Sequence, residues 1–160
     1  MSNPARADAA KAEVAEPRIS YVIARLERAI RKAITARVKP YGLTTLQYTT
    51  LSVLQRHRRP LSNAQLARRA YMTPQAMGEV IEALERKGLI ERTRHPNHRR
   101  VYPAELTPEG LRVLRQCDAA VAEFEETMLR DLTAAQRAEL LRGLTSAVRA
   151  LGAGLPQSLR

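Results

Sequence analysis

Between Thr73 and Leu89 the sequence marks both ends of a single helix, which leaves little freedom in what this stretch can fold into. Thr73 is an N-cap type, and Pro74 suits the first helical position because its missing N–H has no helical partner there anyway. Met72 before the cap and Met77 inside the helix are placed for a hydrophobic staple. At the far end Gly88 suits a left-handed cap, after which Leu89 can meet Leu84 as in a Schellman turn. Met77, Val80, Ile81 and Leu84 recur at helical spacing and make one apolar face, with Gln75, Glu79 and Glu82 opposite. An Arg- and His-rich hairpin pattern follows, with arms at Ile90–Arg94 and Arg100–Glu105 and a polar tip from His95 to Arg99. A helix fixed this firmly beside a basic hairpin is arranged to present its polar face to a partner.

Charge narrows the choice of partner. The 160 residues carry a formal charge of +11, and the isoelectric point near 10.8 calls for an anionic one. From Arg56 to Arg100 there are eleven Lys or Arg against four Glu, a net of +7. That clustering points to a defined footprint on double-stranded DNA. An apolar content of 44% supports a real core, and the length suits one domain. The lone Cys117 excludes an intramolecular disulfide. No apolar run approaches the ~18 residues of a membrane span, and the first residues lack the apolar centre of a signal peptide. The sequence therefore reads as cytoplasmic.

The rest of the pattern is helical. A first helix is expected from about Arg18 to Val38, broken by Pro40 and Gly42. Capping boxes at Thr44/Gln47, Ser62/Gln65 and Thr133/Gln136 open the second, third and sixth helices, and Thr107–Pro108 opens the fifth. Pro103 cannot donate to a ladder, so its strand is expected at an edge. The stripes Leu114, Cys117, Val121, Phe124, Met128 and Leu141, Leu144, Val148, Leu151, Leu155 suit either an intramolecular pair or, with the first helix, a dimer seam. The dimer fits better, since the terminal regions are more apolar than a monomer needs. The expected division is a flexible arm (1–17), a dimerisation helix (18–42), a DNA-binding lobe (43–107), C-terminal dimerisation helices (108–155) and a tail (156–160).

Gln65–Leu66–Ala67, then Met72 through Met77, then Leu84–Glu85–Arg86–Lys87–Gly88–Leu89–Ile90–Glu91–Arg92, ending in Leu106–Thr107–Pro108–Glu109–Gly110, resembles the MarR family of bacterial transcription regulators. The resemblance runs from about Arg18 to Leu151. It implies a mainly α fold with a small β-hairpin wing: a winged helix-turn-helix, six-helix protomer that forms a homodimer through its first, fifth and sixth helices. It also implies that the fourth helix enters the major groove and the wing the adjacent minor groove. Many members carry an Asp-Arg pair after the wing proline; here His98 takes the Asp position, ahead of Arg99 and Arg100.

In the DNA reading, the N-terminal end of the fourth helix (Thr73, Pro74, Gln75, Ala76) holds a phosphate. Gln75 reaches a base edge, and its amide suits adenine N6 and N7. Glu79 suits a cytosine amine, and Gly78 lets the backbone come close. Ser62, Arg68 and Arg69 belong to the same footprint, the two arginines on phosphates, with Arg56, Arg58 and Arg59 as further phosphate candidates. At the wing, Arg94, His95, Asn97, His98, Arg99 and Arg100 are expected to contact the minor groove or phosphates. The other reading of this charge is an architectural DNA binder of the nucleoid, with little sequence preference.

Members of the family this sequence resembles often take small aromatic acids or other anions between the dimer helices and the DNA lobe. Tyr21, Arg25 and Tyr48 are the candidates here for such a small-molecule effector, because an arginine with two phenols suits an aromatic carboxylate. Cys117 on an apolar stripe reads as a small hydrophobe. His95 and His98 alone do not make a metal site, no cofactor motif is present, and no nucleophile-base set or paired carboxylates suggest an enzyme.

Overall fold

The computed structural model describes residues 16–57, 60–70, 72–93 and 102–152. The chain forms two compact units, residues 1–32 and residues 33–160. Among the described residues there are six α-helices and one two-stranded antiparallel sheet, the mainly α architecture with a hairpin that the sequence implies.

The described part of the first unit is the N-terminal portion of α1 (Ile19–Val38). Arg18 O accepts from Tyr21 N and Val22 N at 2.9 and 3.2 Å and starts the helix. Glu27 and Arg31, one turn apart, form an exposed ion pair. The Arg25 guanidinium stands over the Tyr21 ring, 5.9 Å from its centroid. Ile19, Tyr21, Val22 and Ile23 are all exposed.

In the second unit, α1 ends in a single 3-10 turn (Lys39–Tyr41) closed by Gly42 at φ 72°. The other elements follow in order: α2 (Thr45–His57), α3 (Asn63–Arg69), α4 (Pro74–Arg86), β1 (Ile90–Arg92), β2 (Ala104–Leu106), α5 (Pro108–Leu129) and α6 (Ala134–Ala150). The expected caps form. Thr44 Oγ1 accepts from Gln47 N while Gln47 Oε1 accepts from Thr44 N, and reciprocal boxes close at Ser62/Gln65 and Thr133/Gln136. Each satisfies two backbone donors that would otherwise lack partners. At the end of α4 both bonds of a Schellman turn are made. Leu89 N donates to Leu84 O at 3.0 Å and Gly88 N to Glu85 O at 2.8 Å, with Gly88 at φ 69°.

The core draws on every helix of this unit except α6. Leu51 and Leu54 of α2, Leu66 and Ala67 of α3, Met77, Ile81 and Leu84 of α4, and Leu114 and Cys117 of α5 are buried together. Removing this apolar area from water is the main favourable term. Polar groups that enter are paired. Thr50 donates to Leu46 O, and Gln47 Oε1 also accepts from Lys87 Nζ at 3.0 Å. Among the described residues no buried side-chain nitrogen or oxygen lacks a partner. At the α5–α6 corner, Arg137 donates to both Glu126 carboxylate oxygens and to Leu132 O.

Two expectations are corrected. The strand after Pro103 is not an edge. Ala104 exchanges both backbone bonds with Leu61, at 2.8 and 3.0 Å, so β2 lies between β1 and the stretch entering α3. Pro103 precedes the strand, where no donor is needed, and its carbonyl accepts from Thr93 N at 3.2 Å. The seam assigned to α5 also shifts, since Leu114 and Cys117 are fully buried inside the unit. The N-terminal half of the stripe is core, while Leu140, Leu141 and Leu151, on α6 and just past it, are exposed. The strands end at Arg92 and begin again at Ala104, shorter than the sequence pattern. Arg94 and Arg100, assigned to the arms, lie outside the described residues.

One close approach fixes the start of α5. A Cβ built on Gly110 would sit 1.9 Å from Leu89 O and 2.8 Å from Leu89 C, both backbone atoms, whereas one on Gly78 meets only the Asn63 amide nitrogen at 3.6 Å. Gly110→Ala is expected to cost about 3 kcal/mol or more and to lower the thermal midpoint by roughly 10 °C. Gly78→Ala is expected to raise stability by about 0.5–1 kcal/mol through helix propensity. Urea unfolding of the two variants checks the contrast, and equal effects would rule out the steric account.

Candidate nucleic-acid interface

The polar face of α4 is open. Gln75 and Glu79 are exposed, as are Thr73 and Pro74, while Ala76 and Gly78 are half-buried. Thr73 Oγ1 accepts from Ala76 N at 3.2 Å, and Thr73 O from Met77 N at 3.1 Å. Pro74 has no N–H. Of the first-turn amides, only the Gln75 N–H is without a partner among the described residues. Gln75 therefore presents an unpartnered backbone donor and an exposed side-chain amide at the start of α4.

Neighbouring elements hold α4 in place. Asn63 Nδ2 donates to Pro74 O at 2.9 Å, linking the start of α3 to the start of α4. Lys87 Nζ donates to Gly42 O and Gln47 Oε1 and ties down the far end. Arg92 on β1 donates through Nε and Nη2 to Glu85 Oε2, at 2.9 and 2.5 Å, which fixes the base of the hairpin to α4. That hydrogen bond holds the Arg92 guanidinium in its charged form.

The basic residues on α3 differ from one another. Arg68 is exposed. Arg69, expected on phosphate, is exposed as well, but two of its donors are engaged by the protein itself. Its Nε donates to His57 Nε2 at 2.9 Å and its Nη1 to Gln65 O at 3.1 Å. Burial, and then the Arg69 charge, lower the His57 pKa, consistent with a neutral ring that accepts. Ser62 is half-buried and spends its hydroxyl on its cap. Arg56 is exposed. Arg58, Arg59 and the whole wing tip, Arg94, His95, Asn97, His98, Arg99 and Arg100, lie outside the described residues. Sequence reasoning missed Asn63, Arg92 and Lys87. Their partners lie 7 to 45 residues away in sequence, and no spacing rule links such positions.

Comparison with known proteins places this arrangement. A MarR family model matches residues 41–101. The HTH-type transcriptional repressor Rv2887 of Mycobacterium tuberculosis is 34% identical over 126 residues, 79% of this chain and 90% of that protein. The chain belongs to the MarR family. Among solved structures, the MarR family protein Rv2887 in complex with DNA is 32% identical, with a TM-score of 0.69 over 82% of this chain and 98% of that one. The same protein in complex with salicylic acid is 33% identical, with a TM-score of 0.66 over 83% and 98%. The transcriptional regulator BldR of Sulfolobus solfataricus is 30% identical, with a TM-score of 0.73 over 82% and 92%.

The residues expected to meet a ligand in this MarR chain fall in both units. Tyr21 and Arg25 stack on one another in the first. In the second, Tyr48 is half-buried and its hydroxyl donates to Asp118 Oδ1 at 2.8 Å, joining α2 to α5. The phenol is thus engaged by the protein itself. Among the described residues no group of three or more His, Cys, Asp or Glu is placed to hold a metal ion, and no helix is long and apolar enough to cross a membrane.

Burial, and then the bond to Asp118, push the Tyr48 pKa up from 10.0 to about 12. A folded-state pKa above the unfolded one favours the fold below the unfolded value, and the gain is lost as pH rises through the folded value. Tyr48→Phe is expected to cost about 1 kcal/mol at neutral pH. The wild-type advantage should hold up to pH 10 and fade towards pH 12. Urea midpoints of both proteins across that range check this, and a constant difference to pH 12 would contradict it.

Proposed function

We propose that this MarR-family chain is a homodimeric transcriptional repressor that reads a palindromic operator with α4 and is released by a small aromatic carboxylate. The observation that carries the reading is the exposed Gln75–Glu79 face, capped and fixed at both ends, in a chain 32% identical to a protein solved in complex with DNA. Thr73, Pro74, Gln75, Ala76, Gly78 and Glu79 form the reading end, and Arg68 supplies a phosphate contact. Ser62 and Arg69 hold the footprint in shape, and the wing from Arg94 to Arg100 completes it.

Apolar side chains left exposed support the dimer. In the first unit Ile19, Val22 and Ile23 of α1 are exposed, and in the second, separately, Leu140, Leu141 and Leu151 at α6 are exposed; each set is the kind of apolar surface that a second copy covers. Two-fold symmetry then sets the half-sites about one helical turn apart, roughly 34–36 Å. For the ligand, the stacked Arg25 and Tyr21 suit an aromatic carboxylate, and the related Rv2887 was solved with salicylic acid.

The deciding measurement is the affinity for duplexes enriched from a randomised pool, against shuffled duplexes at fixed salt, with and without salicylate. The expected ratio is ~10³ or more, and it should fall when salicylate is added. Gln75→Ala is expected to weaken enriched DNA by about 1–3 kcal/mol while sparing shuffled DNA, whereas Arg68→Ala should weaken both alike. Equal affinity of the wild type for both duplexes would favour an architectural binder instead.

A further inference from the structure

Three consecutive residues join three elements. Leu61 exchanges both backbone bonds with Ala104 of the hairpin, Ser62 caps α3, and Asn63 donates its amide to Pro74 O, the first carbonyl of α4. Asn63 is exposed, so its side chain adds little to the core and its bond acts on orientation. The amide lies along the flank of α4 from Pro74 to Gly78, where a Cβ on Gly78 would come within 3.6 Å of it. Pro74 and Gly78 are one turn apart, and Gln75 and Glu79 are their respective next neighbours. Whatever fixes the Pro74–Gly78 edge thereby fixes the rotation of α4 about its axis, which decides where Gln75 and Glu79 point.

We propose that Asn63 is a positioning residue for sequence reading, its amide clasping the first turn of α4 so that Gln75 meets the base edge at a fixed angle. This rests on the DNA-reading assignment of α4. Asn63 contributes through geometry and not through charge. Its loss should therefore erode discrimination among sequences while leaving general DNA affinity alone. Misplacing a contact group by a small rotation is enough to lose a directional hydrogen bond.

The test uses the full chain and the 30-base-pair duplex most enriched by the wild type from a randomised pool, with a shuffled duplex as control at the same salt. Asn63→Ala is expected to lower affinity for the enriched duplex about fivefold, leave the shuffled duplex unchanged, and move the thermal midpoint by less than about 2 °C. Asn63→Asp, which keeps the shape and removes the donor, should lower the enriched-to-shuffled ratio equally. In a Gln75→Ala background, Asn63→Ala should lower that ratio by clearly less than it does in the wild type, because one of the two groups it positions is gone and only Glu79 remains. Additive losses in the double variant, a parallel loss on both duplexes with Asn63→Ala, or an unchanged ratio would each overturn the proposal. A wild type that enriches no sequence overturns the underlying reading as well, and that result is visible before any variant is made.

Discussion

The backbone of Leu89 is the point on which the second unit depends. Its N–H closes the turn that ends α4, and its carbonyl accepts from Thr107 N at 3.1 Å. Thr107 also donates its hydroxyl to Gly88 O at 2.7 Å and caps α5 through Gly110 N. Gly110 then packs against the Leu89 carbonyl with no room for a side chain. The exit of α4, the start of β1, the end of β2 and the entry of α5 are therefore set by a few backbone atoms. Glycine supplies two different properties here. Gly88 takes a positive φ, and Gly110 allows a close approach.

From this point the lobe is built outward. The hairpin leaves at Ile90 and returns at Leu106, and β2 is held on its second side by Leu61. Leu61 leads directly into α3 and the clasp on α4. The hairpin and α4 are thus linked twice, once through Leu89 and once through Leu61 to Asn63, with the Arg92–Glu85 pair as a third tie. A surface pair of this kind adds little stability by itself; its value lies in fixing direction. Tyr48 and Asp118 separately join α2 to α5.

What the sequence revealed and what it hid divide by range. The caps at Thr44, Ser62, Thr73, Thr107 and Thr133 were legible because a cap involves residues three apart whose side chains satisfy known backbone donors. The Schellman turn at Gly88 was legible for the same reason. The apolar face of α4 followed from helical spacing, and Met77, Ile81 and Leu84 are indeed buried. The Leu61–Ala104 pairing, the Asn63 clasp, the Arg69–His57 bond and the Tyr48–Asp118 bond were not legible. Each joins residues distant in sequence, and each side chain has many acceptable partners. The α5 stripe was ambiguous in principle, because Leu114 and Cys117 keep the same spacing whether they face their own core or a second copy. Cys117 took the core position, and burial followed by Asp118 pushes its thiol up to about 11, which keeps it protonated at neutral pH.

Gln75 and Glu79 sit on the exposed side of a helix whose other side carries Met77, Ile81 and Leu84. Neither side chain takes part in a hydrogen bond among the described residues or fills the core. The fold consequently places almost no demand on what occupies these two positions. With the reading role proposed for these two residues, substitutions there can accumulate, and be tried against new DNA sequences, without first crossing a stability threshold. A scaffold organised in this way separates the evolution of its target from the maintenance of its shape.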